Sequence, residues 1–460
     1  MRENKAMDRR LVVVGALVIQ VSLGAVYIWS VFQTPLQAAF PSWSEKDVTL
    51  PAQLVLVFFA LAVIFGGRLQ DKIGPSRVAT AGGIVLGTGL LLAALTEKFG
   101  PETGLIWLIL SFSVLGGIGI GAAYVCPIAA CVKWYPDKRG LITGLAVAGF
   151  GAGAFFFAPL AKALISGDRY RILGLDLFGL PRLGVFNAFA ALGVLFLVAI
   201  VAGSRLLRNP PPGYAPPGDA RLREAPCSGA VPVKTDFSPR EMLRTGRFWL
   251  LWLAFFAGCA AGLQVIMKAS PIWQSFRLGS MAAPVAEADF NAVAAAGATA
   301  VAVLAIFNSL GRILWGKLSD GLGRRTTLFL MFALCGAVML ALDSLRAFPL
   351  YLAGVCVVGL CFGGFLALYP AVTADSYGTK HIGANYGWMF SAYGAGGFFG
   401  PYLAAWLMKA EDRIPYLTRD GAGALVEKSF VPGNYRSAFI ISGLACLAAA
   451  ALVAVALRKK

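Results

Sequence analysis

The chain has 460 residues, 58% of them hydrophobic and only 14% charged, with a mean hydropathy of +0.73, whereas soluble domains average about 45–50% apolar and about 25% charged. That balance excludes a water-soluble enzyme or binding module and requires lipid as the solvent. The formal net charge of +17 calls for no nucleic acid, because Lys and Arg concentrate in the links expected on one side of a membrane.

A spanning helix needs about 20 apolar residues, and twelve such segments are predicted in chain order, beginning near Leu11, Val48, Val78, Gly104, Leu141, Leu183, Phe248, Ala292, Thr327, Leu350, Ala384 and Ala438. The opening stretch Met1 to Arg10 and the run after it form the first span rather than a signal peptide: the run is too long for an h-region, and no small-residue cleavage site follows. With an even number of spans both termini share one side. Most of the 40 Lys and Arg then fall on that side, so the positive-inside rule makes both termini cytoplasmic. The expected location is a multi-pass protein of the cell (inner) membrane.

After the second span stands Gly67-x-x-x-Asp71-x-x-Gly74 with Arg77, and after the eighth Gly316-x-x-x-Asp320-x-x-Gly323 with Arg324 and Arg325. The repetition continues at a constant offset of 243 residues, pairing Gly116 with Gly359, Gly121 with Gly364, Pro127 with Pro370, Gly140 with Gly383, Gly144 with Gly387, and the run Phe150–Phe156 with Tyr393–Phe399. The chain is therefore a tandem duplication of six spans: a bundle over 1–206, a cytoplasmic linker over 207–246 and a second bundle over 247–460. A parallel repeat of this kind places a substrate between the halves near the bilayer midplane. Within the linker, Asn209 to Gly218 is too proline-rich for a helix, and Ser238-Pro239 with Glu241 predicts a short helix over 238–243.

Seven of the eight cysteines lie in apolar segments without metal-ligand spacing, which assigns them to packing. No Walker loop, zinc cluster or catalytic triad is present, and the lone histidine, His381, falls in a link. Neither cofactor nor metal is expected, and the chain is not read as an enzyme. Gly116-x-Ile118-x-x-Gly121 lies inside a span and marks close helix packing, not a dinucleotide loop.

The two Gly-x-x-x-Asp segments resemble the signature loop of the major facilitator superfamily, and the resemblance covers essentially the whole chain. It implies an all-α integral membrane fold of 12 transmembrane helices in two six-helix pseudo-repeats, working as a monomer. Gly24-x-x-Tyr27-x-Trp29-Ser30, Trp134 to Gly140, Met242 to Trp249 and Phe307-Asn308-x-x-Gly311-Arg312-x-x-Trp315-Gly316 resemble the oxalate/formate antiporter and monocarboxylate transporter group, whose implied substrates are small organic anions. Where the resembled oxalate carriers place a lysine in the eleventh span this chain has Tyr393, a site with one fixed cation, which suits a monoanion. Where animal monocarboxylate transporters place a lysine and an aspartate it has Val31 and Asn308, so their proton-coupling pair is absent.

The residues of the eighth span lead to the same class. Arg312 lies eight residues before Asp320, about 12 Å deeper along a helix. A guanidinium there costs about 2.5–3.5 kcal/mol on insertion scales, and its donor fork matches a carboxylate. Asn308, one turn earlier, could orient the fork or the substrate. Tyr27, Tyr124, Tyr369, Trp388 and Tyr393 could complete a small, partly apolar pocket. Lys268, near the outer end of the seventh span, reads as a snorkelling residue. Asp71 and Asp320, at helix ends, could bind the N-terminal amides of neighbouring helices and, with Arg77 and with Arg324 or Arg325, form gating latches. Two couplings stay open, proton–anion symport, which is favoured, and anion exchange; the competing readings are a drug exporter of the same fold and, outside transport, a substrate sensor.

Overall fold

The structure is a computed structural model, describing residues 8–167, 169–172, 175–211, 214, 236–410, 412–419 and 425–458. Most of the linker, including the proline run beyond Tyr214, lies outside the described residues. Among the described residues eleven helices are long and apolar enough to cross a membrane: α1 (Arg9–Ile28), α2 (Lys46–Ile73), α3 (Pro75–Lys98), α4 (Pro101–Trp134), α5 (Arg139–Ser166), α6 (Gly184–Ser204), α7 (Gly246–Leu278), α8 (Glu287–Leu322), α9 (Arg324–Ser344), α10 (Phe348–Tyr377) and, last in the chain, α12 (Arg436–Ala456). The helix α11 (Ile382–Leu407), 26 residues long, completes the twelve.

Local chemistry sets the helix ends. Ser44 and Asp47 form a reciprocal capping box at the start of α2. The same device opens a short linker helix, Pro239–Leu243, where Ser238 and Glu241 cap each other, as the sequence predicted. Hydrogen bonds from Ser238 hold the exposed Glu241 carboxyl below its usual range.

The two repeated segments are mostly helical. Only Gly74 and Gly323 form the turn, at φ of 92° and 83°, a backbone region that side-chain-bearing residues rarely adopt. Pro75 and Arg324 then begin the next helix.

Two links carry short antiparallel ribbons that the sequence reading did not anticipate. Between α5 and α6, β1 (Arg169–Ile172) pairs with β2 (Leu175–Gly179). Between α11 and α12, β3 (Lys409–Ala410) pairs with β6 (Gly433–Asn434), and β4 (Ile414–Arg419) with β5 (Leu425–Phe430). Tyr416 of β4 stacks on Phe290 with ring centroids 3.7 Å apart. The ribbons follow the same span in each half, so they belong to the repeat.

Contacts divide the chain into two compact units: Met1–Thr245 with Ala367–Gly394, and Gly246–Leu366 with Ala395–Lys460. The first half of α11 groups with the first unit where it packs backbone to backbone on α2, and the end of α10 where Thr143 and Arg139 of α5 reach Ala367 and Asp375. Gly67 lies where any side chain would strike the Gly383 carbonyl, and Gly387 where a Cβ would come 2.8 Å from the Val63 carbonyl.

Candidate functional site

The second unit holds the buried cation. Arg312 is fully buried in α8, and its Nε donates to Oδ1 of Asn308 one turn away at 3.3 Å. Small residues allow this. Gly311 abuts the Leu360 carbonyl of α10, and Gly363 abuts the Asn308 carbonyl, with Asn308 Oδ1 2.9 Å from where a Cβ would stand. A side chain at 363 would push Asn308 off Arg312. Trp315, the next residue along this face, packs against Gly364, as does Met331.

The first unit holds an aromatic cluster. The hydroxyls of Tyr27 and Tyr393 share a hydrogen bond of 2.8 Å, joining residues 366 apart in sequence. Phe150 meets Tyr27 and Tyr124 edge-on at 5.4 and 5.1 Å, an arrangement the ring quadrupoles favour. Phe390 stacks on Tyr393 at 4.7 Å and lies 5.0 Å from Tyr124, and Phe59 meets Tyr124 at 5.1 Å. Gln20 holds the Tyr124 backbone by donating Nε2 to its carbonyl at 3.2 Å. Tyr27 is 37% exposed, whereas Tyr124 and Tyr393 are buried.

The structure thus brings Tyr27, Tyr124 and Tyr393 together in one unit, and Arg312 and Asn308 in the other. Tyr369 is fully buried in α10. Trp388 is half-buried, makes no ring contact with the cluster among the described residues, and has the Arg68 guanidinium 5.9 Å from its ring. Sequence reasoning missed Phe59, Phe150 and Phe390. Phe150 was within reach, because it aligns with Tyr393 at the repeat offset.

Asp71 lies at the N-terminus of α11, where its two oxygens accept the backbone N–H groups of Gly383 at 3.2 Å and Ala384 at 2.8 Å. Gln70 Nε2 also donates to it at 2.5 Å. Lys133 and His381 are its charged and titratable neighbours. Arg77 does not join this group: it is exposed and makes no ion pair among the described residues. Asp320 accepts Arg324 Nη1 at 2.8 Å across the Gly323 turn, and Arg324 also donates to Ser319. A further ion pair was not foreseen. Arg139, at the start of α5, meets Asp375 near the end of α10 at 2.6 Å, and Thr143 donates to the Ala367 carbonyl at 2.8 Å.

Twelve long helices in two repeats, with a guanidinium buried in one compact unit and a cluster of aromatic rings and hydroxyl groups in the other, define a multi-pass membrane transporter. The family model described as Major Facilitator Superfamily matches residues 7–286 and 274–460, and the chain belongs to that superfamily. It is 30% identical over 395 residues to the uncharacterized MFS-type transporter YhjX of Escherichia coli, covering 85% of this chain and 87% of the relative. It is 25% identical over 402 residues to the oxalate:formate antiporter of Oxalobacter formigenes, covering 85% and 83%. Among solved structures, the proton:xylose symporter XylE bound to 6-bromo-6-deoxy-D-glucose superposes with a TM-score of 0.63 at 13% identity, covering 96% of this chain and 94% of that one; this likeness concerns the fold.

Proposed function

We propose that this chain carries small carboxylate anions, of the size of formate or lactate, across the cell (inner) membrane by alternating access of its halves 1–206 and 247–460, with both termini cytoplasmic. One observation carries the reading: a guanidinium fully buried within a spanning helix, oriented by a neutral Asn308. Burying that charge is costly, and a carboxylate in transit offsets the cost through a charge-assisted, two-pronged hydrogen bond. Similarity to an oxalate:formate antiporter supports the same class. The hydroxyls of Tyr27 and Tyr393 supply polar contacts, and Tyr124 supplies an apolar wall for a short carbon chain. In this reading Tyr369 and Trp388 are further lining residues, and Asp71, Arg77, Asp320 and Arg324 serve the gate.

Proton–anion symport is the favoured coupling, with exchange of one anion for another as the alternative. Proteoliposomes separate the two. Symport requires accumulation of labelled lactate or formate under an inward proton gradient into empty vesicles, while uptake that needs preloaded anion and ignores the gradient rules symport out in favour of exchange.

The single fixed cation also yields a prediction about charge selectivity. Tyr393→Lys adds a second cation beside the Tyr27 hydroxyl, so the preference among transported anions should move from monocarboxylate toward oxalate. A change of at least about tenfold in the oxalate-to-formate ratio is expected for a gain of about 1.4 kcal/mol, read by competition against labelled formate. An unchanged ratio would remove position 393 from the site.

A further inference from the structure

The last described residues of the linker do more than lead into α7. Asp236 and Phe237 are seated on the turn between α10 and α11. The Phe237 N–H donates to the carbonyl of Tyr377, the final residue of α10, at 3.0 Å, satisfying an acceptor that a helix C-terminus otherwise leaves open. Asp236 Oδ1 accepts the Lys380 N–H at 3.1 Å. It also occupies the space where a Cβ on Gly378 would stand, and Gly378 has φ of 82°, so glycine is required there twice over. Asn385 Nδ2 donates to the Phe237 carbonyl at 2.9 Å. The Phe237 ring meets Tyr377 edge-on at 5.7 Å, and the Ser238–Glu241 capping box anchors the segment from behind.

Asn385 directly follows Ala384, whose N–H is held by Asp71. One short peptide therefore binds the turn on one side while Asp71 binds the helix it opens on the other. We propose that Asp236–Phe237 is a clip that sets the position of the α11 N-terminus, making Asp236 a positioning residue for the gate; this rests on the gating role given above to Asp71. The linker is then a participant in the conformational cycle and not a passive tether. Releasing the clip loosens the turn, and with it the surface that Asp71 must regain at every closure.

The test is hydrogen–deuterium exchange of the full-length protein in nanodiscs, read in peptides covering 378–386, beside lactate and formate uptake kinetics. Asp236→Ala removes the acceptor and should speed exchange there about fivefold, the worth of one ordinary hydrogen bond. Asp236→Asn keeps an Oδ1 acceptor and should stay within about twofold of wild type. Gly378→Ala, which fills the Asp236 seat, should reproduce the alanine result. In uptake, Asp236→Ala should change the maximal rate while leaving KM unaltered, because the anion site is untouched. Unchanged exchange in Asp236→Ala overturns the clip, whatever the substrate proves to be. Faster exchange with an unaltered maximal rate overturns its role in the gate. Failure of wild type to take up any carboxylate rejects the substrate reading alone, since the exchange measurement needs no substrate.

Discussion

Arg312→Gln is expected to abolish saturable carboxylate uptake while leaving the protein folded and at least as heat-stable as wild type. Truncating one partner of a buried, hydrogen-bonded charge pair costs about 2–5 kcal/mol of binding, which is about 30-fold to above a thousandfold in affinity. The opposite sign for stability follows from burial. Arg312 has no exposed surface, and placing a guanidinium inside a spanning helix costs about 2.5–3.5 kcal/mol on insertion scales, so its replacement by a neutral amide relieves a desolvation penalty that function imposes. Arg312→Lys keeps the charge but replaces the planar fork with a point donor, and should recover only a small part of the uptake. Thermal melting in detergent beside labelled lactate and formate uptake separates the two effects. Parallel loss of melting temperature and uptake would instead make Arg312 a structural residue.

Asp71→Asn should change the cycle without changing the anion site. The carboxylate engages two amide N–H groups at the start of α11, and a charge at a helix N-terminus is worth about 0.3–1 kcal/mol when exposed and up to about 2 kcal/mol in partly buried geometries. Asparagine keeps one acceptor and loses the charge, so the populations of the two access states should shift by about 2- to 30-fold toward the cytoplasm-open state. A cysteine introduced at Ser391 reads this by labelling with an impermeant maleimide, against a background in which the seven described native cysteines are buried. Faster labelling from the cytoplasmic side with an unaltered KM is the expected pattern. Unchanged labelling would reduce the Asp71 contact to static packing.

The relation of Arg312 to Asn308 was legible in the sequence because both lie on one helix, where a spacing of four residues is a geometric statement. The chemistry of Asp71 was legible too, since its position at a helix end specifies amide donors even though the donors lie more than 300 residues away. The particular partner was not. Arg77 looked available by spacing alone, yet it stands exposed and without an ion pair among the described residues. Tyr27 and Tyr393 could be nominated separately by type and depth, but no local pattern pairs residues 366 apart. The same limit hid the Arg139–Asp375 ion pair and the three phenylalanines around Tyr124. The neighbour of Trp388 was equally hidden: the Arg68 guanidinium that lies 5.9 Å from its ring is 320 residues away in sequence. The ribbons between α5 and α6 and between α11 and α12 went unseen because strands of two to six residues carry too few alternations to register beside spans of 20 residues or more.

The most direct test of a carboxylate carrier is uptake by proteoliposomes of a labelled panel, formate, acetate, lactate, pyruvate and oxalate, comparing wild type with Arg312→Gln. Accumulation of at least one monocarboxylate by wild type, reduced to the background of empty liposomes in the variant, is the expected result. Absence of carboxylate uptake by wild type, or equal uptake by the variant, would contradict it and bring forward an exporter of hydrophobic compounds built on the same fold.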